Sequence, residues 1–224
     1  MTTPRGGRRS DALSKQRIVT TATEMLDEAG EGALTFRALA ARLQTGAGAI
    51  YWHVANRDEL LAAATENVIA DVVGTPHADQ DPRQAIRAVA LRTFDAVDAH
   101  PWVGTQLARE PWSATLRLLE SLGGHVDAMG VPEAAQFDSA TALLNYILGA
   151  AGQNAANARL APPDTDRSAF LHVVAAHWTS RDPAQYPFVH RIADHLRDHD
   201  DREQFLAGVD LILAGMAAVA GTDG

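Results

Sequence analysis

Tyr51, Trp52 and His53 set two hydrogen-bond donors beside an indole, and every residue from 46 to 49 just before them is glycine or alanine. Side chains that small let a helix end approach another surface closely, and donors placed behind such an end suit phosphate oxygens. Arg37 can pair with the O6 and N7 edge of a guanine, while Thr45 can hydrogen-bond a base or touch a thymine methyl. Those two are the candidates for reading bases. Tyr51, His53 and Arg57 are the candidates for holding a phosphate backbone. Taken one at a time, Tyr51 and His53 read as ordinary surface residues, and Ile50 and Trp52 read as core. Only their joint spacing points to DNA.

A second chemistry is open to His195 and His199, whose i, i+4 spacing is that of two metal ligands on one helical face. No H-E-x-x-H accompanies them, the chain has no cysteine, and Arg191, Asp194, Arg197 and Asp198 surround them. A solvated charged face accounts for this stretch better than an all-helical metal-binding enzyme, which stays as the less favoured alternative. No catalytic residue, metal ligand or cofactor is assigned.

Positioning the first group requires short helices in a fixed order, and the chain supplies their boundaries. Ser14 caps a helix whose Ile18, Ala22, Met25, Leu26 and Ala29 fall on one face, and Gly30 closes it. Thr35 caps the next, with Leu39, Ala40 and Leu43 facing inward. Gln44, Thr45 and Gly46 turn the chain into a very short helix over residues 47–53. Asn56 and Glu59 form a capping box that opens a helix over residues 56–73, before Gly74 and Pro76. Further breakers predict helices over residues 82–100, 102–109, 111–129, 132–159, 166–180, 184–199 and 202–220. The fourth of these would be about 42 Å long at 1.5 Å per residue. Alternating strand patterns are almost absent, so the fold class is all-α.

The stretch of residues 34–61 closely resembles the helix-turn-helix of the tetracycline repressor (TetR) family. The resemblance is carried by L-T-x-R-x-L-A-x-x-L, the Tyr51-Trp52-His53 run and N-R-D-E-L-L, and with the first helix it spans residues 14–72. It implies a three-helix DNA-binding domain contacting operator DNA through Thr35, Arg37, Thr45, Gly46, Ala47, Ala49, Tyr51, His53 and Arg57. Two features depart from the family pattern. Gln44 stands where a glycine is usual, which predicts an altered turn. The short helix also has no Gln, Asn or Arg before Tyr51, so DNA shape is expected to share in recognition.

The later runs H-P-W-V-G-T-Q-L, N-Y-I-L-G and F-L-A-G-V-D-L-I-L-A-G-M resemble the regulatory domain of the same family over residues 80–220. That resemblance implies a homodimer and a cavity in each subunit for a small, largely apolar effector. Phe94, His100, Trp102, Trp112, Leu116, Leu119, Leu144 and Asn145 are the expected lining, with core packing the alternative for each apolar member. The terminal helix is apolar on so much of its circumference that it needs cover on two sides. Its Phe205, Val209, Ile212 and Met216, with Leu148, Gly152 and Ala155 of the long helix, are the expected dimer interface. The organisation expected is a basic disordered arm (1–13), a helix-turn-helix domain (14–60) and a dimerisation and effector domain (61–224). The function expected is a ligand-responsive repressor on a palindromic operator; a regulator lacking any small-molecule effector is the alternative, and an enzyme is not expected.

Composition agrees with this reading. An apolar fraction of 46% in 224 residues suffices for a large core. The absence of cysteine excludes disulfides and thiolate chemistry and fits a reducing cytoplasm. The net charge of −9 is uneven: residues 1–60 hold eight Lys/Arg against seven Asp/Glu, and the remainder eleven against twenty-one. A basic front on an acidic body would orient the molecule on DNA. Arg8-Arg9 is followed by no apolar run, and residues 207–220 are too short for a bilayer span, so neither export nor a membrane partner is expected.

Overall fold

The computed structural model describes residues 13–74, 80–109, 111–160, 166–197 and 199–221, and every regular element among them is helical. The basic arm expected over residues 1–13 lies outside the described residues except for Leu13, which packs on the edge of the core.

α1 (Lys15–Ala29) begins where Ser14 Oγ accepts from the Arg17 N–H at 3.2 Å, and ends at Gly30, whose φ of 69° lets its N–H reach the Leu26 carbonyl. Its stripe Ile18, Ala22, Met25 and Leu26 is buried, but Ala29 is exposed because the stripe runs out before the last turn. A 3-10 turn (Glu31–Ala33) leads to α2 (Phe36–Arg42), capped by Thr35 Oγ1 on the Ala38 N–H at 3.1 Å. α3 (Ala47–Tyr51) is shorter than expected. α4 (Arg57–Val73) carries the expected box: Asn56 Oδ1 accepts from Glu59 N at 2.8 Å, and Glu59 Oε2 reaches back to Ala55 N at 2.8 Å. The backbone bond holds the Glu59 carboxyl below the usual carboxylate range, with Lys15 adding to the effect. Ile18, Leu26, Leu39, Ile50, Leu60 and Leu61 are fully buried between these helices. Each contributes about 1.5–3 kcal/mol to keeping the head folded.

The body consists of α5 (Pro82–Ala99), α6 (Pro101–Gln106), α7 (Ser113–Ala128), α8 (Glu133–Leu160), α9 (Arg167–Thr179), α10 (Pro187–Ile192) and α11 (Asp201–Ala220). α8 is the axis of this bundle and packs on α5, α6, α7 and α11, whereas α4 spans head and body by packing on α1, α5 and α7. Head and body share one continuous apolar cluster. α9 and α10 pack mainly on each other and on the 3-10 turn Ala193–Leu196, leaving a gap toward α5 and α8.

Three body helices differ from expectation, the first being α6, which ends at Gln106 and not at Arg109. The helix expected over residues 184–199 is broken: Pro187 opens the six-residue α10, which tightens into the 3-10 turn at Ala193. α7 begins after Trp112, which takes a left-handed φ of 56° and ends the preceding loop. α11 is long and apolar enough to cross a bilayer by composition, contrary to the sequence reading. Its Phe205, Val209, Leu213 and Met216 are nevertheless buried against the body, and Asp210 pairs with Arg87.

Candidate nucleic-acid interface and cavity

α2 and α3 form the turn that presents the candidate DNA-contacting residues. Gln44 occupies the left-handed region at φ 53°, and the bonds Thr45 N to Ala40 O at 2.9 Å and Gln44 N to Ala41 O at 3.2 Å close α2. This is the helix stop that glycine usually provides. The turn is therefore kept, not altered, and Gln44 bears the strain.

Beyond it, Gly46 and Gly48 are exposed, and a Cβ at either position would meet nothing in the chain. Internal packing does not demand their small size, so an approaching surface can use the space. Arg37 and Thr35 are exposed at the start of α2, while Thr45, Ala47, Ala49 and His53 are half-buried along the same turn. Phe36 stacks on Tyr51 with ring centroids 4.6 Å apart and planes 1° apart, which fixes the Tyr51 ring while leaving the residue about half exposed. Trp52, read from sequence as core, is 90% exposed. Ile50 and Val54 already fill the space under α3, and the chain turns outward at Trp52. An indole held in water beside Tyr51 and His53 joins the candidate surface, and sequence periodicity over a five-residue helix is too short to have placed it.

Arg57 faces the other way. Its Nη2 donates to the Glu31 carbonyl at 2.6 Å and its Nε to the Leu34 carbonyl at 3.2 Å, so it ties α4 to the loop before α2. Arg42 clamps α2 to α1 through two bonds to Glu28, of 2.5 and 2.6 Å, and this pairing holds the Glu28 carboxyl below its usual range.

The expected effector residues do not gather in one place. Trp102 is buried, and its Nε1 donates to Asp27 Oδ1 of α1 at 2.7 Å. His100 Nδ1 lies 2.8 Å from the same oxygen. Gln106, also buried, donates to Glu31 at 2.7 Å, and Arg109 and Arg57 lie near the same carboxylate. α6 is thus clasped to the head: an indole N–H removed from water needs an acceptor, and Asp27 supplies it. Neither Asp27 nor Glu31 stands out in sequence, because their partners lie about 75 positions away.

Leu144 is core, Asn145 is exposed on α8, Trp112 lines a small cleft of about 220 Å³ against α4, and Leu116 and Leu119 line a shallow groove between α7 and α8. Only Phe94 reaches a larger cavity among the described residues, about 730 Å³, between α5, α8, α9 and the start of α11. Phe94, Phe170, Leu171, Val174 and Trp178 make its apolar wall. Asp95, Asp98, Asn154, Arg167, Asp201 and Arg202 supply most of its polar groups. Phe170, Val174 and Trp178 follow at i, i+4 and i+8 on α9, a stripe that the sequence reading passed over.

The expected dimer residues also divide. Ala155, Phe205, Val209 and Met216 are covered within the chain, Phe205 lying against Phe94 with centroids 4.8 Å apart. These four serve the subunit's own core because α5 and α8 occupy that side of α11. Leu148, Gly152 and Ile212 are half-buried. The face of α11 left open is instead Leu211, 75% exposed, with Ala214, Gly215 and Ala218. His195 and His199 do not share a helical face either: His195 falls in the 3-10 turn, and His199 bonds Asp201 at 3.0 Å. Among the described residues, no group of three or more His, Cys, Asp or Glu side chains is placed to hold a metal ion.

Comparison with known proteins gives this geometry a family. Residues 18–64 match the bacterial regulatory proteins of the tetR family, and residues 75–220 match the tetracycline-repressor-like C-terminal domain. The chain is 52% identical to the transcriptional regulator SCO7222, a TetR from Streptomyces coelicolor, over 93% of this chain and all of that one, with a TM-score of 0.85. It is 25% identical to ActR of Streptomyces coelicolor in complex with actinorhodin, over 94% and 99% of the two chains, with a TM-score of 0.75. It is 26% identical to BioQ, known from Mycobacterium smegmatis, in complex with its double-stranded DNA operator, over 92% and 99%, with a TM-score of 0.64. With an exposed helix-turn-helix at one end, a helical body at the other and both halves matched, the chain belongs to the TetR family of transcriptional regulators.

Proposed function

We propose that the protein is a cytoplasmic repressor that binds a palindromic operator as a homodimer and is released when a small molecule enters the 730 Å³ cavity. The observation that carries this reading is α6, whose Trp102, His100 and Gln106 are bonded to Asp27 and Glu31 of the head while α6 itself packs on α5 and α8 of the body. A change in the packing of α5 or α8 around a ligand reaches the head through that clasp. The actinorhodin complex of ActR and the operator complex of BioQ support the two halves of the reading by analogy.

On DNA, Arg37 and Thr45 read base edges while Thr35, Gly46, Ala47 and Ala49 allow close approach. Tyr51, Trp52 and His53 line the backbone. Arg57 acts from behind by holding the loop, in place of the phosphate contact expected from sequence. The dimer forms through the open face of α11, with small residues that admit a second helix, alongside α8. A two-fold dimer matches a two-fold operator, with reading heads about 34–36 Å apart.

The test is light scattering and fluorescence anisotropy on an operator duplex selected from a random pool. Two chains per palindrome, and a Leu211→Glu variant that is folded, monomeric and unable to bind at the same concentration, are expected. One chain per duplex, or a Leu211→Glu protein that still dimerises, overturns the assembly. A ligand-saturated protein with unchanged operator affinity overturns the release and leaves a regulator without an effector.

A further inference from the structure

The polar lining of the large cavity is unbalanced. Among the described residues, four aspartates, Asp95, Asp98, Asp200 and Asp201, meet two arginines, Arg167 and Arg202, and His199. Each arginine already has a carboxylate: Arg202 pairs with Asp95 at 2.8 Å, and Arg167 pairs with Asp201. His199 also turns to Asp201, at 3.0 Å. Asp98 accepts only the neutral amide of Asn154, at 3.1 Å, and among the described residues no Lys, Arg or His lies in ion-pairing range of it. Asp200 accepts from the Glu203 N–H at the start of α11, a bond that holds its carboxyl below the usual range and keeps it ionised. Phe94, Phe170 and Trp178 line the same cavity, Phe94 only through its edge of exposed surface beside Phe205.

We propose that this cavity takes an organic cation with a bulky aromatic body. A cation entering it gains the Asp98 carboxylate and an aromatic wall together, and a positive charge that settles over an aromatic ring is attracted by its quadrupole. Asp98 itself is exposed at the rim, so the ligand's charge stays near water while its aromatic body enters the apolar part. An anion of the same shape would have to displace an aspartate from one of the two arginines and would still face the remaining carboxylates. A neutral molecule gains only the apolar wall. The acidic body adds a long-range attraction in the same sense, and a volume of about 730 Å³ lies within the range of drug-sized sites. The inference rests on the reading of this cavity as the effector site and names the chemistry of what fills it.

Three probes test it by calorimetry on the full chain without DNA: tetraphenylphosphonium and tetraphenylborate, of near-equal shape and opposite charge, and the smaller neutral triphenylphosphine oxide. Tetraphenylphosphonium is expected to bind at least tenfold more tightly than the other two. Asp98→Asn is expected to remove most of that preference while leaving the affinity for the neutral oxide within about twofold. Val174→Trp, which narrows the cavity, is expected to weaken binding of the cation at least tenfold. Equal or tighter binding of tetraphenylborate overturns the proposal. So does an unchanged preference in Asp98→Asn, or unchanged cation binding in a folded Val174→Trp protein. The effector role is read separately by adding operator: a cation that binds with this pattern but leaves operator affinity unchanged supports the ligand class and removes the release mechanism. A neutral or anionic compound that fills the cavity and releases the operator overturns the class and leaves the release standing.

Discussion

Gln44 is the most strained residue of the reading head that its sequence could have avoided. A non-glycine residue in the left-handed region costs about 1–2 kcal/mol, and glycine there costs less than 1 kcal/mol in added freedom of the unfolded chain. Gln44→Gly is therefore expected to raise the unfolding free energy by up to about 1 kcal/mol, read as a higher urea midpoint at unchanged slope; an unchanged or lower midpoint would mean that the Gln44 side chain supplies a compensating contact. Arg37 and Arg57 separate in the same way. Arg37 is exposed at the start of α2, whereas Arg57 gives two N–H groups to the Glu31 and Leu34 carbonyls. Arg37→Ala is expected to cost about 1–3 kcal/mol of operator binding and to relax preference at one base position. Arg57→Ala is expected to lower thermal stability, by about 1–3 kcal/mol for the carbonyls left unsatisfied, and to leave the salt dependence of DNA binding as it was. A flattened salt slope without loss of stability would return Arg57 to the phosphate backbone.

Among the elements, those bounded by local chemistry were legible in the sequence. Ser14, Thr35, Asn56 and Asp81 each accept the N–H bond their position announces, and Gly30 and Gly74 close helices at positive φ. Caps are written within four residues, so a sequence carries them whole. What was not legible is which side of each body helix meets which neighbour. Trp102 and His100 look like pocket residues until α6 is seen lying on α1, and Phe205 and Val209 look like a dimer seam until α5 and α8 are seen to cover them. Only the crossing of α8 over α11 explains Gly208. A Cβ there would lie 1.9 Å from the Tyr146 hydroxyl, which itself donates to the Phe205 carbonyl at 3.0 Å while its ring stacks on Phe205. Burial has also pushed the Tyr146 phenol upward in pKa, as expected for a ring wedged between helices. Gly208→Ala is expected to destabilise the chain by about 1–3 kcal/mol as the ring is forced out of place. Tyr146→Leu should make that substitution nearly neutral in a double-mutant cycle, and additive losses would show that the two residues do not meet.

At the scale of the molecule the question is how a cavity beside α9 can be felt at α3. The buried cluster is continuous from head to body, so the two cannot move as independent units, and among the described residues the polar joints between them on the α6 side are Asp27 with Trp102 and His100, and Glu31 with Gln106 and Arg109. A ligand shifts the DNA-competent population only by its difference in affinity for the two states, so a tenfold loss of operator binding requires about 1.4 kcal/mol of coupling. If the clasp carries that coupling, weakening it must lower the coupling without removing either binding site. Trp102→Phe keeps the buried ring and deletes the N–H to Asp27; Asp27→Asn keeps an acceptor but removes the charge. Both proteins are expected to bind a cavity ligand such as tetraphenylphosphonium in the absence of DNA within about twofold of the parent. In both, the ratio of operator affinities with and without ligand is expected to fall toward one. Linkage requires the ratio of ligand affinities with and without operator to fall by the same factor, so the two titrations check each other. The double variant should lose no more coupling than the worse single one, because both substitutions cut the same joint. Full coupling retained in Trp102→Phe and Asp27→Asn alike would exclude the clasp and move the route to α4, which touches α1, α5 and α7 directly.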